Sequence, residues 1–118
     1  MNIESYRDHC ISKPGVTEEF PFDNVTLVFK VMGKMFALTN VDKFESINLK
    51  CDPDRSVELR ASHPGITPGF HMNKKHWNTL IMDNSIKDEL ILELIDHSYD
   101  LVVKSLTKIL REELKQLD

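Results

Sequence analysis

Hydrophobic and polar positions along this chain change period several times, and each change marks an element. Over residues 3–12, Ile3, Tyr6 and Cys10 fall at helical spacing with Ile11 beside them, and Asn2 can cap the start. This predicts a short helix, stopped by Lys13-Pro14-Gly15. Residues 16–23 mix acids with Phe20 and Phe22 around Pro21 and read as an irregular connection whose two aromatics pack down. Residues 26–31 and 34–38 are β-rich runs joined by Met32-Gly33, the signature of a hairpin. Residues 46–51 alternate cleanly, with Ile47, Leu49 and Cys51 on one face and Asn48 and Lys50 on the other. Such alternation fits an antiparallel sheet with one face covered and one more open.

Asp52-Pro53 opens a helix well, because aspartate caps and proline lacks an N–H that the first turn could not use. That helix is expected to run to about Ser62 and to end at Pro64-Gly65. Residues 70–72 and 77–82 are short strand candidates linked by Asn73-Lys74-Lys75-His76. Ser85 and Asp88 resemble a capping box. The long apolar stripe that follows, from Ile91 through Leu94, Ile95, Val102 and Leu106 to Ile109, predicts a helix with a bend at 97–99 or beyond Leu106. The order is α-β-β-β-α-β-β-α. Strands grouped in this way mean an α+β fold, a two-layer sandwich on an antiparallel sheet rather than a doubly wound one.

Length adds that residues 1–118 form one domain, since 118 residues leave no room for two good cores. Charge adds more. Fifteen Lys and Arg against nineteen Asp and Glu give a net charge of -4, which excludes coating nucleic acid by bulk charge. The charge is uneven, however: residues 62–82 contain Lys74, Lys75, three histidines and the single tryptophan, and no acid. No apolar run approaches the ~20 residues that span a bilayer, so no membrane association is expected. The N-terminal MNIESYRDHC lacks a basic region followed by an apolar one, and two cysteines are too few for a disulfide scaffold. The expectation is a cytoplasmic protein, a monomer or weak dimer.

Candidate chemistry is sparse. His63, His71, His76 and Cys51 lack metal-ligand spacing, and no carboxylate lies nearby in sequence to complete a set, so no metal is expected. Cys51 alternates with Ile47 and Leu49 and therefore points into the core, where a thiol is inert. Four glycines include no phosphate-cradling motif. No catalytic residues and no cofactor are predicted. The sharpest feature is the run from Phe70 to Asn78. Lys74 and Lys75 can meet phosphates, and Asn73, His76 and Trp77 can touch bases or sugar, with Lys30 and Lys50 extending the basic track across the open sheet face. The competing reading is a tight turn with exposed lysines beside a core tryptophan.

Five segments together resemble the MmcQ/YjbR family. They are residues 13–22 (KPGVTEEFPF), 29–38 (FKVMGKMFAL), 48–53 (NLKCDP), 68–77 (PGFHMNKKHW) and 98–102 (SYDLV). The resemblance covers nearly the whole chain. It implies an α-β(3)-α-β(2)-α domain with a secretion-chaperone-like sheet, in agreement with the order read from periodicity. It also implies a DNA-binding role through a double-wing motif, with no reaction or cofactor. The first expectation is thus a small non-enzymatic DNA-binding module using Lys30, Lys50, Asn73, Lys74, Lys75, His76 and Trp77. The alternative is a protein- or peptide-binding adaptor. A weaker third is a small-ligand pocket between the sheet and the 71–77 turn.

Overall fold

Asn2 starts the first helix as its chemistry suggests: its side chain accepts a hydrogen bond from the Ser5 amide at 2.8 Å, and α1 runs Ile3–Ile11. The computed structural model describes residues 1–117 and continues with β1 (Val16–Glu19), β2 (Thr26–Val31), β3 (Lys34–Asn40), β4 (Ser46–Lys50), α2 (Pro53–Ser62), β5 (Ile66–Pro68), β6 (Trp77–Ile81), α3 (Asp88–Ser105) and α4 (Lys108–Lys115). The strands form one antiparallel sheet in the order β1-β2-β3-β4-β6-β5. The α+β class holds. The sheet has one strand more than the sequence pattern gives.

Four local expectations change. Residues 16–19 are not irregular but form edge strand β1, registered against β2 from Val16↔Val31 to Glu19↔Val28. The alternation there is hidden because only Val16 is apolar. Phe20 and Phe22 do not pack down; they are 49% and 64% exposed. Residues 70–72 form a turn, and the strand pairing with β6 falls instead on Ile66–Pro68. The Ser85–Asp88 box does not form. Ser85 lies before the helix, whose N-cap is Lys87 without a side-chain bond. The expected bend beyond Leu106 is real, and Thr107 caps a separate final helix by accepting from the Leu110 amide at 3.3 Å.

The β2–β3 hairpin closes through Met32 and Gly33, with φ of 49° and 87°. Left-handed geometry at both positions of a two-residue loop matches the twist of the strands it joins. A register shift falls between Phe29 and Lys30, so β3 carries one extra residue there, Phe36. The shift lets Phe36 and Ala37 both enter the core.

One sheet face is covered by helices. Tyr6 and Cys10 of α1, and Ile91, Leu94, Ile95, Tyr99 and Val102 of α3, pack with Leu27, Phe29, Val31, Ile47, Leu49 and Leu80 of the sheet. Tyr6 meets Phe29 and Phe36 meets Tyr99 edge to face, at 5.6 and 5.4 Å between ring centres. Two residues of α3 tie this layer together by polar bonds. Ser98 Oγ donates to the Phe36 carbonyl at 2.6 Å and accepts the Lys50 amide at 2.9 Å. Tyr99 donates its hydroxyl to the Pro14 carbonyl at 2.7 Å.

His97, also on α3, accepts the Asp52 amide N–H through Nε2 at 3.1 Å, at the start of α2. That bond needs an unprotonated ring nitrogen. Burial, then the nearby Arg55 guanidinium, hold the His97 pKa below its ordinary value, against smaller opposing effects of Glu93, Asp52 and Asp100. The folded state therefore binds fewer protons at this site than the unfolded chain does. Its contribution is complete above about pH 6.5, the unfolded value, and declines as pH falls. Urea midpoints are expected to be lower at pH 5.5 than at pH 7.5. In His97→Gln, whose amide oxygen accepts the same bond without titrating, this difference is expected to shrink.

Candidate nucleic-acid interface

Among the described residues, the second sheet face carries no helix. Its residues follow from the pleat and the register. Glu19, Val28, Leu38, Asn48, Thr79 and Thr67 form one continuous cross-strand row, and Lys50 stands opposite Trp77 in the next. Val28, Leu38 and Trp77 make a small apolar cluster on this face, with Met35 and Met72 packed against it. Lys30 lies toward the β2–β3 hairpin, Lys50 at the same end of β4, and the 69–76 loop enters β6 beside it.

That loop folds back over the outer face and is bonded throughout. Gly69 donates its amide to the Trp77 carbonyl at 2.8 Å. A Cβ on Gly69 would sit 2.8 Å from Trp77 Cβ, so only glycine permits this approach. The Phe70 amide donates to Thr79 Oγ1 at 2.9 Å, and its carbonyl accepts from Asn48 Nδ2 at 3.4 Å. Arg60 of α2 spans the base of the loop. Its Nε donates to Asn78 Oδ1 at 2.8 Å, and one terminal nitrogen reaches the carbonyls of Lys74 at 2.6 Å and Trp77 at 3.2 Å. Asn78 in turn donates to Ser56 Oγ at 3.2 Å. The Cys51 amide donates to the His76 carbonyl at 2.9 Å, closing the loop onto β4.

The seven residues singled out in the sequence divide accordingly. Lys30 and Lys50 share the outer face, and Lys75 and His76 are exposed beside them. Lys30 Nζ lies 3.4 Å from Glu19. Lys74 Nζ donates to the Gly69 carbonyl at 3.3 Å and so also holds the loop. Asn73 and Trp77 have internal roles in the fold. The Asn73 side chain accepts the amides of Lys75 and His76 at 2.9 and 3.3 Å, shaping the turn. Trp77 is 8% exposed, its ring a wall of the Val28–Leu38 cluster rather than a platform.

Sequence reasoning passed over two aromatics. Phe22 and Phe70 are 64% and 67% exposed, and both line an open cleft of about 490 Å³ at the end of the outer face away from the hairpin. Leu38, Asn48, His71 and Met72 also line it. The hydrophobicity of Phe22 predicts that it packs down, and no local signal distinguishes an exposed phenylalanine from a buried one. His71 adopts a left-handed φ of 59°, and its ring lies 4.0 Å from that of Phe70, centre to centre.

Charge is segregated between the layers. Among the described residues, the outer strand positions and the 69–76 loop hold one carboxylate, Glu19, against Lys30, Lys50, Lys74 and Lys75. Helix α3 alone carries Asp88, Glu89, Glu93, Asp96 and Asp100 against Lys104. The thiols take no part on this face. Cys10 and Cys51 are buried and unpaired, and burial raises both, Cys10 to about 12, which keeps them protonated at neutral pH. No helix among the described residues is long and apolar enough to cross a membrane.

The YjbR family model matches residues 11–101. The uncharacterised protein YjbR of Escherichia coli (strain K12) is 33% identical over 118 residues, spanning 99% of this chain and 100% of its own. The uncharacterised protein YbdF of Escherichia coli O157:H7 is 38% identical over 106 residues, 89% of this chain and 87% of its own. Among solved structures, Deinococcus radiodurans protein DR2400 superposes with a TM-score of 0.91 at 44% identity, covering 97% of this chain and 88% of that one.

Proposed function

This chain belongs to the YjbR family, and from that premise we propose that it is a non-catalytic module that binds DNA on the outer face of its sheet. One observation carries the reading: Lys30 and Lys50 on the outer face, with Lys74 and Lys75 in the loop that enters β6 beside Lys50, stand against one outer-face glutamate, while the acid excess lies on the helices behind. A net charge of -4 then opposes DNA from the helical side and leaves a single approach. Phosphate contacts fall to Lys30, Lys50 and Lys75, with Lys74 adding charge from a bonded position. The loop is held before any ligand arrives, which lowers the ordering cost of binding. Two buried unpaired thiols fit a reducing compartment, the cytoplasm.

Fluorescence anisotropy of labelled DNA against salt tests this. Replacing Lys30, Lys50 and Lys75 with glutamine is expected to weaken binding and to flatten the slope of log K against log salt by about 2–3, at ~0.7–0.9 per phosphate contact. Lys74 is kept in that variant so that the loop stays folded. An unchanged slope and affinity would sink the reading. A second reading, a peptide-binding adaptor, is favoured by the exposure of Phe20, Phe22 and Phe70. It predicts no salt-dependent binding to any DNA.

A further inference from the structure

We propose that the cleft flanked by Phe22 and Phe70 holds unpaired nucleobases, so that the module takes single-stranded nucleic acid in preference to duplex and reads it without regard to sequence. This inference rests on the DNA-binding reading above and deepens it. Three observations carry it.

The first is the exposure of the two rings on one cleft. Solvent contact at 64% and 67% is costly for phenylalanine unless something covers it, and both rings border the same space of about 490 Å³. Phe70 is fixed in that position. Its amide and carbonyl are each bonded to the outer sheet row, through Thr79 and Asn48, and its ring rests on His71. The left-handed backbone at His71 is the kind of local strain that is retained where the surrounding bonds impose it.

The second is what the polar groups of the cleft are already doing. Asn48 donates to the Phe70 carbonyl and accepts from Thr79 Oγ1 at 2.6 Å. Thr26 donates its hydroxyl to Asp23 at 3.0 Å. The Asn40 side-chain oxygen accepts the amides of Asp42 and Lys43. Groups committed to internal bonds do not select a base by its edge. What remains to a ligand is ring face and aliphatic surface from Phe22, Phe70 and Met72, with the exposed His71 imidazole beside them. Every base offers a π face, so stacking of this kind is tolerant of sequence.

The third is charge. The cleft and the lysines Lys30 and Lys50 lie on the same sheet face, at opposite ends of strands β2 and β4, with the Val28–Leu38 apolar cluster, buried under Met72 of the loop, between them. An extended single strand laid along this face can place bases at one end and phosphates at the other. A duplex keeps its π faces inside its own stack, so the rings gain nothing from it. An apolar peptide would fill the cleft without using the lysines.

The test compares a labelled 12-nucleotide oligothymidylate, the matching oligouridylate, a 12-nucleotide abasic strand and a 12-base-pair duplex, by anisotropy at low salt. The expected result is binding of both single strands at least tenfold tighter than the duplex, with the abasic strand weakened to duplex level. Phe22→Ala and Phe70→Ala should each weaken oligothymidylate binding about 5- to 100-fold, from the energy of one stacked base. They should leave the salt slope unchanged, and their melting temperatures should confirm the fold. Equal binding of DNA and RNA strands supports the cleft equally, since the argument uses the base face and not the sugar. Equal or tighter duplex binding, or insensitivity to both phenylalanine changes, overturns the inference while salt-dependent DNA binding through the lysines keeps the parent reading. No salt-dependent binding to any of the four ligands overturns both.

Discussion

Ser98→Ala is expected to lower the unfolding free energy by about 2–4 kcal/mol, the cost of two buried backbone groups losing their partner. The size follows from the bulge in β3. Phe36 is the residue left without a cross-strand partner there, and Ser98 Oγ satisfies its carbonyl while accepting the Lys50 amide. Ser98 is fully buried, so water does not replace the hydroxyl without opening the sheet–helix layer. Alanine removes one oxygen, strands one acceptor and one donor, and creates almost no cavity. Chemical denaturation measures the loss directly. Ser98→Thr, which keeps the hydroxyl, is the control: its added methyl tests packing, whereas Ser98→Ala tests bonding. A Ser98→Ala protein as stable as the parent would mean that the Phe36 carbonyl and Lys50 amide find other partners.

Arg60→Ala is expected to be nearly as large, about 2–3 kcal/mol, and to reach the proposed binding face as well. Three bonds to Asn78 and to the carbonyls of Lys74 and Trp77 are lost together, and the side chain of Asn78, a residue 2% exposed, keeps only its bond to Ser56. Arg60→Lys should not restore the wild-type value, because a single ammonium does not reproduce a planar fork spanning a side chain and two carbonyls. Trp77 is the only tryptophan and sits at the end of this network, so its emission should shift to longer wavelength as the 69–76 loop loosens. DNA affinity should fall with it, through Lys74 and Lys75, although Arg60 itself is proposed to touch no DNA. A stable Arg60→Ala protein with unchanged tryptophan emission would show that the loop is held by its remaining bonds alone.

These two residues also show where family signal and function part. The 98–102 block is one of the five segments that carry the resemblance, and in the fold its serine and tyrosine clamp α3 to the Phe36 and Pro14 carbonyls. The 73–77 block is half clamp as well. Asn73 shapes its own turn and Trp77 fills the outer apolar cluster, leaving Lys75 and His76 exposed. Distinctive residues in a small two-layer domain are often those that satisfy a bulge or a tight loop, because those positions tolerate few side chains. Arg60 gave no signal of its own in the sequence. Its role depends on a β6 residue and a loop carbonyl that come near α2 only after folding.

Periodicity and capping chemistry determined the elements that are local in origin: the Asn2 and Asp52 helix starts, the Met32-Gly33 hairpin, the alternation of β4, and the break after Leu106. They also determined the class, since grouped strands between helices leave few arrangements. The tertiary structure alone decided that residues 16–19 pair as an edge strand and that Phe22 and Phe70 border one cleft. It alone placed Glu19 beside Lys30 on the outer row and tied Lys74 to the Gly69 carbonyl. Caps, turns and amphipathic periods act over a few residues and are written in the residues concerned. Charge segregation and the walls of a cleft join positions far apart along the chain, so they come into being only with the strand order.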